Sequence, residues 1–141
     1  MARSGSIPPL TPDYGSGIVT IRRVVPNLRA PDMEASRAFY ADFLGLDVVL
    51  DLGWIVTYAS PENPTAQISI SPGDRLEGEQ MRPYLTIEVS DVDAVHAAAA
   101  ERGYEIVHAL TDEPWGVRRF FVLEPGGLVL NILGRTPLGD R

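Results

Sequence analysis

Apolar and polar positions along this chain follow one pattern that runs twice, about sixty residues apart. A β-branched segment from Ile18 to about Leu28 leads into Ala30-Pro31-Asp32-Met33, a helix, Leu44-Gly45-Leu46 and then three short extended segments. Tyr84 to Val89 leads in the same way into Ser90-Asp91-Val92-Asp93, an alanine-rich helix, Arg102-Gly103-Tyr104 and three more. A period this long, occurring only twice, predicts two stacked βαβββ modules; a solenoid needs three or more repeats to bury its core. A site common to such modules belongs on the surface they build together.

Within the first module Asp32 predicts a helix N-cap. Ala35, Phe39 and Phe43 then recur every four residues, with Tyr40 and Leu44 beside them, which is helical spacing. Gly45 suits a left-handed stop. Strands are expected near Asp47 to Leu52, Trp54 to Ser60 and Thr65 to Ser71, broken by Gly53 and by Pro61-Glu62-Asn63-Pro64, and a polar linker runs from Pro72 to about Arg82. In the second module Val92, Val95, Ala98 and Ala99 carry a helix to Arg102, with Gly103 as its stop. Strands follow near Tyr104 to Leu110, Val117 to Leu123 and Leu128 to Leu133, the last two joined by the turn Glu124-Pro125-Gly126-Gly127. Residues 1–17, with Pro8, Pro9 and Pro12 among glycines and small polar residues, read as a flexible N-terminal arm. Residues 18–134 read as one domain, module one about 18–71 and module two about 83–134, and residues 135–141 as a C-terminal tail.

Alternation along the central strands sorts their side chains into two faces. Ile68, Ile70, Leu85, Ile87, Val89, Leu130 and Ile132 share one parity and are expected to face the helices. The opposite parity carries Gln67, Ser69, Ser71, Tyr84, Thr86, Glu88 and Asn131. These residues either form a solvated face, ordinary in antiparallel sheets, or line a concave cavity if the modules curl together. Trp54 opens a strand in which Tyr58 shares its parity, and Trp115 lies in the loop feeding the seventh strand. Such flat side chains can fill a core or sandwich a planar or cationic ligand.

Composition narrows the function classes. A chain of 141 residues, 45% hydrophobic and 22% charged, fits a single globular domain. No apolar run approaches the roughly 20 residues of a membrane span, and Met1 to Ser6 lacks the apolar core of a signal peptide. A cytoplasmic location and no membrane partner are therefore expected. With no cysteine, disulfides, thiolate metal sites and cysteine nucleophiles are excluded. Nineteen acidic against twelve basic residues, a net charge of −7, argue against nucleic acid, which needs clustered Lys and Arg. The same charge could draw cationic ligands. No P-loop, dinucleotide glycine pattern, HExxH or Ser-His-Asp order occurs.

Asp32-Met33-Glu34-Ala35-Ser36-Arg37-Ala38-Phe39-Tyr40, ending in Phe43-Leu44-Gly45-Leu46, resembles the first-helix signature of the vicinal oxygen chelate superfamily of glyoxalases, bleomycin resistance proteins and extradiol dioxygenases. Ser90-Asp91-Val92-Asp93 with Glu101-Arg102-Gly103 resembles its second helix, and Glu124-Pro125-Gly126-Gly127 its Asp-Pro-Asp-Gly turn, with Glu in first place. Glu113-Pro114-Trp115-Gly116 is similar to a segment of the bleomycin-resistance branch. The likeness spans about residues 19–134. It implies an α+β fold in which two βαβββ modules form an incomplete eight-stranded barrel, commonly in a homodimer. Enzymes of the superfamily hold a divalent metal from matching places in the first, fourth, fifth and eighth strands, usually with His, Gln or Glu. Those places fall here at Val25, Ser69, Tyr84 and Asn131, a set without the nitrogen and carboxylate donors of Zn, Fe or Ni sites. No metal and no cofactor are therefore expected, as in a metal-free, bleomycin-resistance-like branch.

The leading expectation is a protein that binds a small aromatic or cationic molecule for sequestration or resistance. Trp54, Tyr58, Tyr84 and Trp115 would form apolar walls, and Gln67, Ser69, Glu88 and Asn131 polar contacts. The alternative is a lyase, isomerase or dioxygenase with atypical metal ligands, or a metal-free enzyme with Glu88 or His108 as acid and base. Glu88 also reads as an ion-pair partner of Arg23, Arg118 or Arg119. His96, among alanines on the second helix, is expected at the surface.

Overall fold

Residues 19–72 and 83–137 are described by the computed structural model. In chain order they form β1 (Ile21–Arg29), α1 (Met33–Arg37) continued as a π-helix over Ala38–Phe43, β2 (Asp47–Asp51), β3 (Val56–Ala59), β4 (Gln67–Ser71), β5 (Leu85–Val89), α2 (Val92–Glu101), β6 (Ile106–Glu113), β7 (Val117–Leu123) and β8 (Val129–Arg135). The strands join in one eight-stranded sheet, β2-β3-β4-β1-β5-β8-β7-β6.

Both halves of that sheet have the same wiring. β4 lies parallel to β1 and β8 parallel to β5, with antiparallel steps outward to β3 and β2 and to β7 and β6. β1 and β5 run antiparallel at the centre. The result is the α+β arrangement of two βαβββ modules that the internal repeat predicts, curled so that its concave side holds a cavity.

Equivalent residues start and stop the two helices. Asp32 accepts the Ala35 amide and Asp91 the Ala94 amide, each at 3.0 Å, so one free N–H of each first turn is satisfied. Gly45 and Gly103 end them with φ of +82° and +79°, a conformation that side-chain-bearing residues resist. At Gly103 the amides of Gly103 and Tyr104 return to the carbonyls of Ala100 and Ala99, the Schellman pattern.

The first helix departs from its expected packing. The Leu44 amide reaches back to the Phe39 carbonyl, and the wider π-turns take up an extra residue, which rotates the face after Arg37. Phe39 and Phe43, placed on one stripe by their spacing, are 50% and 72% exposed. Met33, Tyr40 and Ala41 are the residues that pack against Val56, Tyr58 and Ile70. A second cluster lies under α2, where Val92 and Ala99 meet Val89, Phe120 and Ile132, with Ile87 and Leu130 beside them. Of the residues expected to face the helices, Ile68, Ile70, Ile87, Val89, Leu130 and Ile132 do so, and Leu85 joins neither cluster. His96 is half-buried, its ring set edge-on to Phe120 at 4.9 Å, because its helix face overlies β7.

Two strand ends also move. β3 begins at Val56, not Trp54, and β8 continues to Arg135, into the segment assigned to the tail. The N-terminal arm at 1–17, nearly all of the linker and residues 138–141 lie outside the described residues. Among the described residues no helix is long and apolar enough to cross a membrane.

Candidate functional site

A cavity of about 280 Å³ lies on the concave face between the modules. Its floor comes from strand pairing: β1 sets Asn27 beside Ser69 of β4, and β5 sets Thr86 beside Asn131 of β8. The Ser69 and Thr57 hydroxyls bond each other at 2.7 Å. Thr86 Oγ1 accepts from Asn27 Nδ2 at 3.0 Å and from Asn131 Nδ2 at 3.2 Å, while Asn131 Oδ1 is buried with no hydrogen-bond partner among the described residues. Leu50, Leu52 and Ile55 wall one side, and Val117 and Leu133 the other. Trp54, from the β2–β3 turn, and Trp115, from the β6–β7 turn, meet with ring centroids 5.5 Å apart.

Among the described residues, the charged side chains on this lining are all arginines: Arg23, Arg119 and Arg135. Behind two of them sits Glu88, only 3% exposed. Arg23 lies directly across from it in the β1–β5 ladder and donates from Nε to Oε1 at 2.5 Å; Arg135 donates from Nε to Oε2 at 3.0 Å. Arg23 Nη1 also donates to Gln67 Oε1, and Gln67 Nε2 to the Pro64 carbonyl at 2.8 Å. Burial pushes the Glu88 pKa up, but the hydrogen bonds from Arg135 and Arg23, with their charges, outweigh it and hold the carboxyl below its ordinary value,. Arg119 packs over Trp115 at 5.3 Å and Phe121 at 4.9 Å, and its Nε donates to Glu113 Oε2 at 2.8 Å.

Of the residues proposed from sequence, Trp54, Gln67, Ser69, Trp115 and Asn131 line the cavity together. Tyr58 does not. It is fully buried beneath the first helix, 5.3 Å from the Tyr40 ring, because Trp54 belongs to the turn and its parity does not carry into β3. Thr57 takes the cavity side instead. Burial raises the Tyr58 pKa, and its hydroxyl lacks a hydrogen-bond partner among the described residues. Tyr84 precedes β5, is 58% exposed and is not on the lining. Glu88 lies behind the lining as an ion-pair partner: of the three arginines considered, Arg23 is the one that reaches it, and Arg135 joins from β8. His108 is off the cavity on β6, stacked at 4.7 Å on Phe121, with Nε2 3.5 Å from Glu113 Oε2.

The lining residues that the sequence does not place in a cavity are mainly Arg23, Asn27, Thr57, Arg119 and Arg135. Their signal is simple alternation: Arg23, Val25 and Asn27 share a parity in β1, as do Asn131, Leu133 and Arg135 in β8.

The places that hold a metal in related enzymes give a poor donor set here. Val25, Ser69 and Asn131 line the cavity and Tyr84 does not. Valine cannot coordinate, the Ser69 hydroxyl is engaged by Thr57, and the free Asn131 Oδ1 is one neutral oxygen. Glu88 is held by two guanidinium groups. Among the described residues no group of three or more His, Cys, Asp or Glu converges. Divalent cations need several carboxylate or imidazole donors, and three arginines repel one, so these residues do not fit the metal.

Solved structures share this architecture. A glyoxalase/bleomycin resistance protein/dioxygenase superfamily member from Vibrio splendidus 12B01 is 20% identical with a TM-score of 0.54, covering 82% of this chain and 99% of that one. A Legionella pneumophila protein described as an NAD-dependent benzaldehyde dehydrogenase is 14% identical with a TM-score of 0.62, covering 80% and 99%. An extradiol ring-cleaving dioxygenase from Brevibacterium fuscum is 21% identical with a TM-score of 0.62; the match takes in 92% of this chain but 38% of the dioxygenase. Likeness at such identities is one of fold. No curated protein matches the chain. A family model for the Glyoxalase/Bleomycin resistance protein/Dioxygenase superfamily matches residues 20–132. From the first strand into the last, over the whole doubled βαβββ sheet, the chain belongs to that superfamily.

Proposed function

We propose that this protein binds a small organic molecule, without a metal, in the cavity between its two modules, and that its role is sequestration of the kind the bleomycin-resistance-like branch implies. The observation that carries this reading is the lining itself. Two tryptophans and several aliphatic side chains surround a floor of hydroxyl and amide groups, the mix of apolar wall and few placed polar groups typical of ligand sites. At about 280 Å³, the space lies just below the roughly 300–1,000 Å³ usual for such pockets, which suits a ligand of one or two rings. A homodimer belongs to the same proposal and is checked by the mass of the protein in solution.

The enzymatic alternative is less well supported. Glu88 makes a weak base when two arginines hold its carboxyl below the ordinary value, and His108 lies away from the cavity. The test is metal analysis together with native mass spectrometry on untagged protein purified without chelator. Metal-free protein, with or without a retained small molecule, is the expected result. About one tightly held metal per chain would overturn the reading.

A further inference from the structure

The net charge of −7 and the charge of the cavity have opposite signs. Among the described residues the lining holds three arginines and no Asp, Glu or Lys, although acidic residues outnumber basic ones in the chain. The carboxylates behind it do not cancel this charge. Glu88 is shared between Arg23 and Arg135, and Glu113 takes Arg119.

The unused donors matter as much as the charge. Arg119 and Arg135 each donate to protein through Nε only. Their Nη groups have no partner among the described residues, so each guanidinium keeps donors that can reach an anion. The carboxylates and, for Arg119, the flanking rings of Trp115 and Phe121 fix these groups. A guanidinium so held loses little conformational freedom on binding and meets a planar carboxylate with parallel N–H donors. Trp54 and Trp115 stand on the same lining as aromatic surface.

We infer that the ligand is an aromatic carboxylate, its ring against the tryptophans and its carboxylate on the arginines. This rests on the small-molecule reading above and gives its ligand a chemical class. The guanidinium groups supply the positive charge permanently, since arginine does not deprotonate in proteins. A cation, which the acidic composition would attract from a distance, meets the wrong sign inside.

Three probes with the same ring and different charge separate the possibilities: benzoate, benzamide and benzamidine, titrated against the full chain by tryptophan fluorescence. Benzoate is expected to bind about tenfold or more tighter than benzamide, as one charge-assisted pair allows, and benzamidine weakest. Added salt should narrow the benzoate preference in the unmodified protein, and Arg135→Gln should reduce it while Arg135→Lys retains part of it. The salt series needs no variant and stands even if a substitution impairs folding. Equal or tighter binding of benzamide or benzamidine overturns the carboxylate assignment while leaving a binding pocket in place. No response to any of the three overturns the assignment and counts against the pocket as well.

Discussion

The Trp54 and Trp115 rings meet at 66° with centroids 5.5 Å apart, and each comes from the turn of the corresponding hairpin in its module. Gly53 precedes the first tryptophan and Gly116 follows the second, with φ of +86° and +92°, so both turns use the left-handed region open to glycine. The contact joins the modules outside their shared β1–β5 ladder. It also puts Trp115 over the Arg119 guanidinium. Replacing Trp115 with Ala should lower stability by about 1–3 kcal/mol, from lost aromatic and cation–π contacts, in chemical denaturation. It should also weaken benzoate binding by about tenfold. Unchanged affinity would place the ligand elsewhere.

Glu88 links acid stability to the site. Its folded pKa lies below the ordinary 4.5, so its ion pairs add stability that is present above that value. This contribution is lost as pH falls through 4.5 toward the lowered folded pKa. The Glu88→Gln variant should be less stable at neutral pH by about 1–3 kcal/mol, below the figure for a fully buried pair because Arg135 is half-exposed. Its stability should fall less steeply than that of the parent below about pH 4.5. Benzoate binding should persist at reduced affinity, since Arg23 and Arg135 keep their charge but lose the carboxylate that fixes them. Unchanged affinity in folded E88Q would show that the carboxylate plays no part in holding the arginines for the ligand.

Tyr58 offers the opposite kind of test. Its hydroxyl is buried without a hydrogen-bond partner among the described residues, a situation that disfavours the folded state. Tyr58→Phe should leave stability unchanged or raise it by about 1 kcal/mol in thermal unfolding, with no change in ligand affinity. A loss of affinity would put this ring back among the ligand contacts.

The repeat itself is testable through its caps. Asp32→Ala and Asp91→Ala should each lower stability by about 1 kcal/mol, and the double variant by roughly the sum, because the two caps share no partner. Unequal effects would show that the helix starts are not equivalent.

How much of this was legible in the sequence depended on how local the signal was. Strand alternation and the capping and glycine signals locate the eight strands and two helices of the described residues and the floor residues Gln67, Ser69 and Asn131. Tyr58 escapes the pattern because β3 starts two residues after Trp54, so a tryptophan of the turn does not mark the strand's parity. The Phe39 and Phe43 stripe does not hold because α-helical spacing does not apply in a π-helix. Arg135 carries no apolar signal because β8 outruns the apolar pattern that marks it. The arginines form a site only through pairing between strands distant in the chain, and the composition, which is acidic, points away from them.

The most direct test of a metal-free binding cavity is the benzoate isotherm measured by tryptophan fluorescence, once with EDTA and once with saturating Mn²⁺. The same affinity in both is predicted, since arginines supply the positive charge. Binding that appears only with the metal, or tightens markedly with it, would contradict the account.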